Sequence, residues 1–172
     1  MNFCIFGPRG AGKDETTRIL LELIPNAEQL RLADFVVKAA NAFGIENPTK
    51  TDLTFVGHSI GRKYFGEDVW LKQAEKRVKD NPDKVFIVSD VRYLNEYEKF
   101  VELGFIPILI ECDEIERIKR VVERDGYIDL ELLKHPNENM YKEFEWEVMI
   151  DNNGTIKELE EAVKEMLHLY EE

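Results

Sequence analysis

The stretch Asn2-Phe3-Cys4-Ile5-Phe6-Gly7-Pro8-Arg9-Gly10-Ala11-Gly12-Lys13-Asp14 carries the most information in the chain. Five residues of strand length run into a glycine-rich loop, and a helical pattern from about Gly12 to Leu23 follows directly. Gly7 through Lys13 has the spacing G-x-x-x-x-G-K. The spacing has a physical purpose. Glycines let successive backbone N–H groups turn inward around an anion, and the helix that begins there adds the positive end of its dipole. Lys13 would reach the β- and γ-phosphates of a nucleotide as a point charge. The loop set facing such a ligand is Gly7, Arg9, Gly10, Ala11, Gly12, Lys13, Asp14 and Glu15. Asp14 departs from the usual Ser or Thr. A carboxylate there can hold Mg²⁺ directly or through water, and it also suits a first helical turn without any metal.

Outward from this loop, apolar runs of strand length alternate with segments of helical period, the pattern of a parallel sheet covered by helices. Glu28 to Leu32 reads as a short strand, and Asp34 as the N-cap of a helix through Phe43, stopped by Gly44. Thr51 to Asn81 reads as two helices broken near Gly66. Val85 to Ser89 is an interior strand. Leu94 to Leu103 is a helix, Phe105 to Ile110 a strand, Asp113 to Arg124 a basic-faced helix and Val148 to Ile150 a last strand. Thr155 caps a terminal amphipathic helix to Tyr170. The fold class expected is α/β: about five parallel strands flanked by helices in three layers, with a helical arm and a lid, in a single domain over residues 1–172.

Composition limits the partners. The chain has 172 residues, with 23 basic and 35 acidic side chains and a formal charge of −12. Such a balance argues against a nucleic-acid polymer, whose backbone needs a cationic surface. No apolar run approaches a membrane span, and the first residues lack the pattern of a secretory signal, so a cytoplasmic location is expected. Cys4 and Cys112 read as buried reduced thiols. His58, His135 and His168 lack the spacing of metal ligands. The partners expected are small-molecule nucleotides, and a homodimer is compatible with the sequence.

Two further groups stand where ligands of open α/β sheets bind. Asp90 follows the strongest strand, where it can orient Mg²⁺ through water or accept a proton. The other reading of Asp90 is an N-cap for the next helix. Arg92 can clamp an acceptor phosphate with its planar fork, or bridge to a surface carboxylate. Arg117, Arg120 and Arg124 share one helix face, where they either form a lid over the transferred group or pair with Glu116 and Glu123.

The Gly-Lys-Asp loop, Leu32-Ala33-Asp34 with Lys38, Gly61-Arg62 with Asp68-Val69-Trp70, Asp90-Val91-Arg92 with Asn95-Glu96, and Asn152-Asn153-Gly154-Thr155 resemble the bacteriophage-type deoxynucleoside monophosphate kinases. The resemblance spans about Phe3 to Val163. It implies an adenylate-kinase-like P-loop fold, ATP as donor, Mg²⁺ at Asp14 and Asp90, and a nucleoside monophosphate as acceptor. Lys13, Asp90, Arg92, Arg120 and Arg124 then form the catalytic set. Asp34, Lys38, Arg62, Trp70 and Arg92 look like the acceptor site, with cations for the phosphate and an aromatic face for the base. Trp70 also reads as a packing residue. Animal-type phosphomevalonate kinases are similar in the loop and in an Asp-x-Arg segment, so another phosphorylated metabolite stays open as acceptor. A nucleotide sensor without turnover and an NTPase acting on water are further readings. The segment His135-Pro136-Asn137-Glu138 resembles a family segment, with no role assigned to Glu138.

Overall fold

In the computed structural model, which describes residues 1–127 and 139–170, five strands form one sheet in the order β2-β3-β1-β4-β5, every neighbouring pair parallel. These are β1 (Asn2–Phe6), β2 (Ala27–Gln29), β3 (Val85–Val88), β4 (Phe105–Glu111) and β5 (Val148–Asp151). Central β1 is apolar on both faces because both are covered. Phe3, Cys4, Ile5 and Phe6 are all buried, as expected of a strand between two helical layers.

The helices of this sheet unit are α1 (Lys13–Leu23), α5 (Leu94–Glu102), α6 (Glu114–Asp125) and α7 (Ile156–His168). On one face, Ile19 and Leu20 of α1 and Leu159, Val163, Met166 and Leu167 of α7 join Phe3, Ile5, Ile108, Ile110 and Ile150 in one apolar cluster. On the other, Phe6 meets Tyr97 and Phe144 edge-on at 5.8 and 5.4 Å, and those two rings stack at 4.6 Å. Burial raises the pKa of Tyr97, whose hydroxyl donates to the Glu145 carbonyl at 2.7 Å. Thr155 caps α7 as expected, in a reciprocal capping box with Glu158.

The chain divides into two compact units, one comprising Met1–Gln29 and Val85–Glu172, the other Leu30–Lys84. The second is helical: α2 (Leu32–Ala42), α3 (Lys50–Thr54), a π-helix (Phe55–Phe65) and α4 (Val69–Lys79). The break near Gly66 falls where expected. Two local expectations change. Residues after Gln29 leave the strand early, so Leu32 opens α2 with Arg31 at the N-cap, and Asp34 sits in the first turn with its charge toward the helix dipole. The segment 55–65 winds as a π-helix, a wider coil than the α-helix its periodicity suggests.

Trp70 explains how that wide coil packs. The ring is 8% exposed, its Nε1–H donates to the Gly57 carbonyl at 2.9 Å, and a Cβ on Gly61 would lie 2.3 Å from the indole. Gly61 therefore admits the ring against the backbone. Among the described residues, no helix is long and apolar enough to cross a membrane.

Gly61→Ala should cost about 1–3 kcal/mol through overpacking against Trp70. Denaturant unfolding followed by tryptophan fluorescence is the measurement, and an unchanged midpoint would contradict this account of the packing.

Candidate functional site

The site begins with a turn that only glycine can make. Gly7 adopts φ 141°, and a Cβ there would sit 2.3 Å from the Ile110 carbonyl oxygen of β4. Gly12, the N-cap of α1, has φ 103°, and its Cβ would meet the Asn152 side-chain nitrogen at 2.2 Å. Both positions exclude side chains twice over, by backbone conformation and by contact. The N-cap contributes no side-chain hydrogen bond, so the first N–H groups of α1 are not claimed by a capping residue and suit an anion.

Lys13 opens α1 and folds back over its own loop. Its ammonium donates to the carbonyls of Gly7 and Pro8, each at 2.9 Å. Beside it lies a cleft of about 280 Å³ lined by Gly10, Gly12, Lys13, Asp14, Glu15, Arg120, Val121 and Arg124. The structure thus gathers much of the expected nucleotide-facing set, including both chosen arginines of α6. Gly7 and Arg9 stand nearby without lining the cleft. Buried Ala11 lies between the two cleft-lining glycines and turns its carbonyl toward Asn152.

The arginines reach the cleft already engaged. Arg120 donates to Glu116 at 3.2 Å and to the Gly154 carbonyl at 3.3 Å. Arg124 holds Asp125 through two hydrogen bonds, at 2.7 and 2.8 Å, and Arg9 reaches the same carboxylate at 3.5 Å. The hydrogen bond from Arg124, with Arg9 adding its charge, keeps the Asp125 carboxyl below its ordinary pKa. Glu15 pairs with Arg18 at 2.6 Å, on the helix surface. Exposed pairs of this kind are weak and exchange readily for a phosphate oxygen.

Arg117 behaves differently from its neighbours on the helix. Its Nε donates to the Cys112 carbonyl at 3.0 Å and its Nη1 to the Arg9 carbonyl at 3.2 Å, so it ties α6 to the phosphate loop. It also lines a smaller crevice of about 120 Å³ with Pro8, Arg9, Glu114, Asn139, Tyr141 and Lys142. The sequence placed Arg117 on the shared arginine face but favoured Arg120 and Arg124 for the site; the signal for its anchoring role was its place next to the strand end, one turn before Arg120.

Asp90 follows β3 and is half-buried, with its Oδ1 buried and accepting no hydrogen bond among the described residues; the residue keeps other interactions. Burial, with the charges of Asp90 and Glu96 adding to it, pushes the pKa of the fully buried Cys4 thiol upward. The N-cap reading of Asp90 does not hold, since Tyr93 occupies that place and buried Glu96 accepts from the backbone N–H groups of Arg92 and Tyr93 at 2.8 and 3.2 Å. The Arg92 side chain is exposed. Asp90 and Arg92 do not line the cleft beside Lys13.

In the second unit, Asp34 and Lys38 are exposed on α2, with the Lys38 ammonium 5.8 Å from the centre of the Phe35 ring. Arg62 is half-buried on the π-helix. Trp70 is a packing residue, its indole N–H committed to Gly57 and its ring against Gly61, which corrects the expectation of an open stacking face. His135 and Glu138 lie outside the described residues.

The residues present fit an anionic ligand with Mg²⁺. Lys13, Arg120 and Arg124 bring positive charge to one cleft beside a helix N-terminus. No cluster of three or more His, Cys, Asp or Glu side chains suited to a metal occurs among the described residues. Mg²⁺ is ordinarily held by one or two carboxylates together with phosphate oxygens and water, and Asp14 in the cleft suits that mode.

Asp125 should titrate below the ordinary aspartate value of about 3.9, and its ion pairs should persist until the pH falls through that lowered value. Stabilisation from a depressed carboxyl pKa is present above the unfolded value and lost on acidification. Carboxyl NMR titration reads this directly, and Arg124→Ala should return the midpoint toward normal.

No protein-family model and no curated protein matches this chain. Solved structures do. The protein solved as TT1252 from Thermus thermophilus shares 18% identity over 98% of this chain and 97% of that one, with a TM-score of 0.62. A shikimate kinase from Bacteroides thetaiotaomicron has 14% identity, covers 100% of this chain and 99% of its own, and has a TM-score of 0.62. A shikimate kinase from Acinetobacter baumannii, solved with shikimate, has 18% identity, 98% and 92% coverage, and a TM-score of 0.54. At these identities the likeness is one of fold, an α/β chain with a five-stranded parallel sheet flanked by helices.

Proposed function

We propose that this chain is an ATP-dependent phosphotransferase whose acceptor is a nucleoside monophosphate, by preference a deoxynucleotide. The observation that carries the phosphotransferase reading is the cleft in which Lys13, Arg120 and Arg124 stand beside a glycine loop at a helix N-terminus. Preorganised cations and backbone donors of this kind stabilise charge as it develops on a transferring phosphoryl group. The acceptor reading rests on the sequence resemblance.

In this mechanism the protein contributes position and charge. Lys13 leaves the carbonyls of Gly7 and Pro8 to meet the β- and γ-phosphate oxygens, while Arg120 and Arg124 exchange Glu116 and Asp125 for phosphate. Transfer is direct, the acceptor oxygen bonding to the γ-phosphorus as the bond to the β,γ-bridging oxygen breaks. A phosphate acceptor is already a competent nucleophile at neutral pH, so Asp90 need only orient groups around it. Mg²⁺, when bound, would supply charge neutralisation to the phosphates; Asp14 is the cleft carboxylate that would hold it, and Asp90 is the second candidate from the sequence. Arg117 holds α6 to the loop, so closure over the transferred group would come from the side chains of Arg120 and Arg124, whose turn onto the phosphates helps to exclude water.

A second reading, a kinase of another small acceptor, is favoured by one specific observation. Trp70 is buried and hydrogen-bonded, which removes the expected stacking face. The shikimate kinases among the structural neighbours add shikimate to the acceptors worth testing.

The test is coupled ADP release with ATP and Mg²⁺ against deoxy- and ribonucleoside monophosphates, phosphomevalonate and shikimate. Turnover with a nucleotide, falling about 100-fold or more in Lys13→Ala, is the expected result. Turnover with a non-nucleotide alone selects the second reading, and inert acceptors with intact ATP binding would overturn both.

A further inference from the structure

We infer that Asn152 is a positioning residue that sets the shape of the phosphate loop, acting on the ligand through the Ala11–Gly12 peptide. The inference rests on the nucleotide-binding reading above. Asn152 follows β5, is 6% exposed, and donates its side-chain N–H to the Ala11 carbonyl at 2.7 Å. Its own backbone N–H donates to the Glu111 carbonyl at 2.8 Å, so the sheet fixes the asparagine in turn.

The consequence follows from peptide geometry. In a trans peptide the C=O and the next N–H point in opposite directions. Holding the Ala11 carbonyl toward Asn152 turns the Gly12 N–H to the other side, and Gly12 lines the cleft. Without the amide, a buried carbonyl would lose its donor and the peptide would be free to rotate. The contact is tight: a Cβ on Gly12 would stand 2.2 Å from the Asn152 nitrogen, so the second glycine of the motif and this asparagine fit as a pair.

The next two residues extend the same clasp. Asn153 Oδ1 accepts from the Asp113 N–H at 2.8 Å, and the Gly154 carbonyl accepts from Arg120 at 3.3 Å. Three consecutive residues thus hold the phosphate loop, the start of α6 and an arginine of the cleft. Asn152 is distinguished from the others by burial and by contact with the loop itself.

Two variants separate hydrogen bonding from volume. Asn152→Ala removes the side chain, while Asn152→Asp keeps its shape and replaces the donor with an acceptor. Both should bind ATP and ADP about tenfold more weakly, and both should bind adenosine as the wild type does, with titrations followed by amide chemical shifts. Acidification should restore ADP binding to Asn152→Asp alone, relative to wild type, because a protonated carboxyl can donate to Ala11. Wild-type ADP affinity in Asn152→Asp would overturn the inference, as would equal weakening of ADP and adenosine, which marks support of the fold as a whole. A wild-type chain that binds neither ATP nor ADP would overturn the nucleotide reading itself, and the inference with it.

Discussion

The loop between β1 and α1 must reverse direction within a few residues while pressed against its neighbours, and the rest of the sheet unit is arranged around that constraint. The Ile110 carbonyl closes it at Gly7, the backbone and side chain of Arg117 at Gly10, and the Asn152 amide at Gly12. These contacts come from β4, α6 and the residue after β5, all from the half of the sheet the chain builds after β3. The strand order makes this possible: β1 lies between β3 and β4, so the chain returns past its carboxyl end from both halves. Open α/β sheets carry their ligand crevice at such a point. The interior position of the glycine loop therefore depends on strands that lie about a hundred residues away in sequence.

Charge in the cleft is organised by the same closeness. The chain carries a net −12, yet cations converge beside Lys13. They are balanced locally by Glu116 and Asp125, acids from the same helix as the arginines. Partners on one helix surface hold each other loosely, so each arginine is kept oriented without being withdrawn from use. Arg117 has different partners, backbone carbonyls at Nε and Nη1, and these fix the helix to the loop. One face of one helix thus combines a fixed anchor with two exchangeable cations.

These distinctions mark what the sequence made legible. The glycine spacing, the apolar strand before it and the capped terminal helix could be read because each is a local signal with a local cause. The helical arm could be divided at Gly66 for the same reason. Its π-helix could not, because that winding is tied to Gly57 and Gly61 receiving Trp70 from the next helix. Asn152 was visible only as part of the segment Asn152-Asn153-Gly154-Thr155 that carried the resemblance. Its contact with Ala11 joins residues 141 positions apart, and no periodicity encodes it. Asp34 was misplaced by three residues of helix boundary, a small shift that exchanges an N-cap for a first-turn acid.

Under the proposed function, the donor and acceptor sides would differ in how they are built, and that difference bears on specificity. The donor cleft is defined by backbone: glycine conformations, carbonyls and a helix terminus, features that recognise phosphate whatever it is attached to. The candidate acceptor residues in the second unit are side chains on exposed or half-buried helix faces, namely Asp34, Lys38 and Arg62. With Trp70 withdrawn into packing, acceptor recognition on this unit would rest on charge and hydrogen bonding more than on stacking. Charged groups discriminate by the placement of an anion, and they penalise strongly a ligand that leaves them unpaired. Under the proposed phosphotransfer, a chain built in this way would keep its donor side unchanged while substitutions at a few exposed positions changed the acceptor it takes.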